Sequence, residues 1–126
     1  MPGAARAIAI ASAVATLGFM AWVADWSMQP TILAFMIGLL AWCVSPYALI
    51  AFVARTPRAS ASSAIALLAT ALAVAGFAAV VYVDAFFIHL DAQGGLVFLF
   101  VPVVQWMGTA VGIVATHLLD RRAATT

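Results

Sequence analysis

No charged side chain occurs between Arg6 and Asp25, between Asp25 and Arg55, between Arg58 and Asp84, or between Asp91 and Asp120. Crossing about 30 Å of hydrocarbon takes about 20 helical residues at 1.5 Å each. Four runs qualify: 7–24, 31–54, 61–89 and 96–119. Nothing is left over for a water-soluble unit. The chain therefore reads as one transmembrane domain over residues 1–126, an all-α integral membrane four-helix bundle of antiparallel up-down hairpins.

The residue types agree. The chain is 67% hydrophobic and 7% charged, with no Glu, Lys or Asn. A short chain in water leaves much of itself exposed and needs polar side chains to cover it. Here the bilayer is the expected partner. The first run follows Arg6 as a secretory signal would, but Trp22 stands before Val23 and Ala24, where a cleavage site requires small residues. It is read as a spanning helix.

Between the runs lie turn-forming segments at 25–30, 55–60 and 91–95, with Pro30, Pro57 and the Gly94, Gly95 pair among them. Connections this short predict that sequential helices lie side by side. Arg6, Arg55, Arg58, Arg121 and Arg122 fall on one side of this zigzag, and Asp25, Asp84, His89 and Asp91 on the other. The excess of arginine marks the cytoplasmic side, which predicts both termini inside. Trp22, Trp26, Tyr82, Phe86 and Phe87 are expected near the outer headgroup layer.

Helices in lipid have no hydrophobic drive toward each other, so close contact depends on small side chains. The stripes Ala7, Ala11, Ala15, Gly18 in the first run, Ala34, Gly38, Ala41, Ser45, Ala48 in the second, and Gly108, Gly112, Ala115 in the fourth are expected seams. The third run carries two, one with Ala71, Ala75, Ala78 and Tyr82 and one with Ala69, Ala73, Gly76 and Val80. Two small faces allow two neighbours, or a second copy. Pro46 and Pro102 each remove a backbone donor and free the carbonyl four residues earlier, those of Trp42 and Phe98. Ser45 is close enough in sequence to serve such a group.

Few side chains could carry chemistry. Gln105 lies about 14 Å into the membrane by helix rise, on a face with Gly108, Thr109, Gly112 and Thr116. Holding helices together is its plainer reading, and contact with a ligand the sharper one. Asp84, His89, Asp91 and Gln93, with Asp25 from the other hairpin, are the one place where several ionisable groups could meet. They read either as a solvated acidic rim or as a site for protons or cations. Three irregularly spaced ligands make a weak metal signal. His89 and His117 sit at opposite edges, which leaves no pair for a bis-histidine haem. His117 and Asp120 precede the terminal arginines, where basic side chains suit a helix end and anionic headgroups.

No phosphate-cradling glycine loop, nucleophile elbow or metalloprotease pair is present, so no catalytic residue is expected. No cofactor is called for. Cys43 alone cannot build a disulfide or a thiolate zinc cage, and packs as a small hydrophobe. A net charge of +1 without a basic stripe excludes nucleic acid.

Residues 84–93, DAFFIHLDAQ, with 96–102, LVFLFVP, and Gln105 resemble a pattern in small, uncharacterised four-helix proteins of the bacterial inner membrane. The similarity covers roughly the second half and touches Ser45, Pro46 and Tyr47. It implies that location, carries no activity, and singles out Asp84, His89, Asp91, Gln93, Pro102 and Gln105. Small multidrug exporters of this length use a membrane-embedded glutamate and small fluoride channels an asparagine, both missing here. Three functions stay open: a non-enzymatic accessory protein that associates with itself or another membrane protein; a small transporter or channel along Asp84 and Gln105; or an outward pocket for a lipid, quinone or metal.

Overall fold

The computed structural model describes residues 2–23, 29–58, 60–88 and 96–125. His89, Asp91 and Gln93, and Asp25 and Trp26, lie outside the described residues. Four helices make up the described chain: α1 Pro2–Val23, α2 Pro30–Val53, α3 Ala61–Val83 and α4 Val97–Thr125, with a π-helical turn Asp84–Ile88 continuing α3. The shortest apolar stretch, Gly3–Val23, has 21 residues, a rise of about 30 Å. All four are long and apolar enough to cross a membrane. Four long apolar helices fit a small polytopic membrane protein, and the all-helical fold is consistent with a four-helix bundle.

Local chemistry explains the starts. Pro30 opens α2, where a missing N–H is no loss. Ser60 caps α3 in extended backbone, its Oγ accepting from the Ser63 N–H at 3.2 Å. α4 runs on to Thr125, past the expected end at 119, so the arginine pair is helical.

The helices contact one another in the ring α1, α2, α4, α3 and back to α1. α2 and α3, though joined by a short connection, barely touch. This corrects the expectation that all sequential helices pair. The inner face of α2 is taken up by α1 and α4, and α3 finds its longest partner in α4.

Two apolar layers fill the interior. One joins Ala5 and Ala9 of α1 with Tyr47, Ile50 and Ala54 and with Leu67, Ala71 and Val74. The other joins Met20, Cys43, Ala78, Tyr82, Phe98 and Val101. Beside the second layer the Phe19 ring packs 5.3 Å from Phe86 and 5.8 Å from Tyr82, and Tyr82 lies 5.2 Å from Phe98. Tyr82 is buried and belongs to the core, whereas Trp22 and Phe87 stack at an exposed edge.

The small-residue stripes divide between inside and outside. Ala71, Ala78 and Tyr82 are buried and Ala75 is partly so, while Ala69, Ala73, Gly76 and Val80 face out. On α1 the buried positions are Ala5, Ala9, Thr16 and Met20; Ala7, Ala11, Ala15 and Gly18 are exposed. Gly38 and Ala41 are exposed on α2, and space is open beside Gly38. Both faces of α1 repeat small residues at helical spacing, so sequence periodicity does not choose between them. Large apolar side chains face out as well, Val14, Phe35, Val80 and Val111 among them, a surface that fits helices able to cross a membrane, where lipid tails would solvate them.

A buried hydrogen-bonded layer as candidate functional site

Gln105 is 2% exposed and ties three helices together. Its Nε2 donates to Tyr47 Oη at 2.8 Å and to the Val74 carbonyl at 3.2 Å. A carbonyl only accepts, so the amide nitrogen must face Val74, and the orientation of the side chain is fixed. Thr109 and Thr116 are buried on the same side of α4. The Thr116 hydroxyl donates to its own helix at Gly112 O, 2.8 Å away. Three buried oxygens, Gln105 Oε1, Thr109 Oγ1 and Tyr82 Oη, have no hydrogen-bond partner among the described residues.

The prolines add a second set of bonds. Pro46 deprives Trp42 O of its helical donor, and Ser45 Oγ supplies one at 2.6 Å while accepting from Trp106 Nε1 at 2.9 Å. Pro102 deprives Phe98 O in the same way, and Cys43 Sγ donates to it at 3.1 Å across the helix boundary. Trp42 Nε1 reaches Leu99 O at 3.2 Å. The carbonyls released by Pro46 and Pro102 are each met by a neighbouring hydroxyl or thiol, as burial away from water demands. Four side-chain bonds cross between α2 and α4: those of Trp42, Cys43, Trp106 and Gln105.

The roles of Cys43, Trp42 and Trp106 escaped the sequence reading. The available signal was each proline's freed carbonyl, with donors at Cys43 and Trp42 on one helix and Trp106 on the other.

At Gly112 α4 lies tight against α3, where an added Cβ would strike the Thr70 side chain. An added Cβ at exposed Gly108 would meet only Val74 Cγ2, at 3.9 Å. Asp84 opens the π-helical turn on an exposed surface, whereas Gln105 is interior, so the two occupy different surroundings. Among the described residues no three metal-ligating side chains come together.

Comparison with known protein families, characterised proteins and solved structures finds no match for this chain.

Two further features frame the layer. A groove of about 500 Å³ runs between α1 and α3, with Ser12, Thr16, Tyr47, Gly76 and Tyr82 in its walls. At the other end Arg58 forms a 3.0 Å ion pair with Asp120. Its guanidinium also donates to Thr56 O and Val53 O, each at 3.1 Å. The Arg58 side chain is 3% exposed, which makes this the most deeply buried charge among the described residues.

Proposed function

We propose that the chain is a non-enzymatic, multi-pass protein of the bacterial inner membrane that associates with a second copy or another membrane protein through its outward small-residue faces. The observation that carries this is the placement of those stripes. Ala7, Ala11, Ala15 and Gly18 on α1, Gly38 and Ala41 on α2, and Ala69, Ala73 and Gly76 on α3 face away from the core. A Cβ added at Gly18, Gly38 or Gly76 would meet nothing within 4 Å. Such surfaces let a neighbouring backbone approach closely, where van der Waals contact drives association in lipid.

The same reading makes the helices antiparallel with both termini cytoplasmic. Its support is the order of contacts. Tyr82 meets Phe98, Val74 meets Gln105, and Thr70 faces Gly112, so the numbering falls along α3 as it rises along α4. Ala5 shares a core layer with Ala54 and Leu67, and Arg58 pairs with Asp120. These contacts gather the arginines at one end, as the positive-inside rule expects of a cytoplasmic face. Against a conducting path stands the bonding of Gln105, which lines a groove between α3 and α4 but is itself buried and tied to Tyr47 and the Val74 carbonyl.

Crosslinking in native membranes, followed by purification in mild detergent, tests association. A second copy or a co-purifying membrane protein is expected, reduced by Gly38→Leu or Gly76→Leu. A strict monomer with no companion removes the proposal.

A further inference from the structure

The Arg58 to Asp120 pair does more than join a connection to a helix. Asp120 stands immediately before Arg121 and Arg122, and Arg55 lies one turn before Arg58. The 3.0 Å contact therefore brings the arginines of the α2 terminus and of the α4 terminus to one locus. It also consumes the acid that would offset them. The α1 side adds Arg6, whose neighbour Ala5 is buried in the layer that contains Ala54. Arg6, Arg55 and Arg121 are exposed, as is His117. Asp120 is the sole acid placed at this end among the described residues.

From this charge arrangement we propose that the arginine end is a binding surface for anionic phospholipid headgroups, with Arg55 and Arg121 as its centre and Arg6 at its margin. Guanidinium forks match phosphate oxygens in paired hydrogen bonds. Two helix termini held together by a buried ion pair present those forks from a fixed base. The surface lies where the apolar runs end, at the depth of headgroups. The inference rests on the helix arrangement proposed above.

The test uses the purified full chain in mixed micelles holding equal phosphatidylglycerol and phosphatidylcholine, with native mass spectrometry counting the retained lipids. Phosphatidylglycerol is expected in excess, and the excess should shrink as salt rises. The double variant R55Q/R121Q should lower the preference roughly twenty-five-fold, at about fivefold per arginine, with its melting temperature unchanged; Arg6→Gln, on another helix, should lower it less. Equal retention of the two lipids by the parent chain, or an unaltered preference in the double variant, overturns the proposal. Displacement of the bound lipid by glycerol phosphate in solution also overturns it, because the ligand would then be a soluble phosphate compound. Reporter fusions within the connection at residue 57 separate the two readings. Micelles have no sides, so an external reporter signal refutes the orientation alone, and a cytoplasmic signal with no lipid preference refutes the lipid site alone.

Discussion

Arg58 and Asp120 meet at 3.0 Å across a sequence separation of 62 residues. The guanidinium is almost fully enclosed and the carboxylate partly so, with exposures of 3% and 20%. Removing one member of such a pair leaves a desolvated charge, and that penalty exceeds the net worth of the pair. Asp120→Asn is expected to destabilise the protein by about 2 kcal/mol, below the full cost of breaking a buried pair because Asp120 keeps some solvent. The double variant Arg58→Met, Asp120→Leu should recover part of the loss. Unfolding in detergent, followed by helical circular dichroism, reads both.

Gln105 offers a sharper discrimination. Leucine loses the bonds to Tyr47 and Val74, each worth roughly 1 kcal/mol, but removes the unpartnered Oε1 as well. Glutamate sets an acceptor oxygen toward the Val74 carbonyl when ionised, and when protonated it offers one O–H in place of the two amide N–H donors. Gln105→Glu should therefore be less stable than Gln105→Leu, by about 1–3 kcal/mol for the mismatched acceptor. Equal stabilities of the two variants would refute the bonding assigned to Gln105.

Gly112→Ala should destabilise by about 1–3 kcal/mol, the usual cost of overpacking, because the new methyl collides with Thr70. Gly108→Ala, where the nearest atom lies 3.9 Å away, should be close to neutral. Thermal unfolding of the two single variants in one detergent gives the comparison, and a larger loss at Gly108 would contradict the α3 to α4 packing.

Ser45→Ala leaves both Trp42 O and Trp106 Nε1 without Ser45 as partner. A loss of about 1–3 kcal/mol is expected, together with a shift in tryptophan emission as one indole N–H loses its acceptor. Cys43→Ser keeps a donor for Phe98 O and should be tolerated far better than Cys43→Ala.

The four long apolar helices were legible because a bilayer-crossing helix has a set length and excludes charge, and the charges of this chain are spaced to match. Which face of each span turns inward was not. On α1, Ala5 and Ala9 repeat at the same spacing as Ala7 and Ala11, and in lipid the bulkier Val14 and Leu17 carry no preference for the interior. Gln105 was readable as inward because an amide in hydrocarbon needs a partner, yet Tyr47 as that partner was not, since it lies on another helix. The carbonyls freed at Trp42 and Phe98 follow from proline chemistry. That Cys43 serves one of them depends on how α2 and α4 are juxtaposed, which only the folded chain supplies. Of the outer cluster, Asp84 is placed on an exposed π-helical turn, and its sequence companions lie outside the described residues.

The groove between α1 and α3 stands opposite the four bonds that fasten α2 to α4. Sliding α4 along α2 would strip donors from the Leu99 and Phe98 carbonyls and acceptors from the Trp42 and Trp106 indoles at once, so these bonds oppose such a slide. A tilt of α1 against α3, on the far side, would widen or narrow the cleft with no exchange of the hydrogen bonds between α2 and α4.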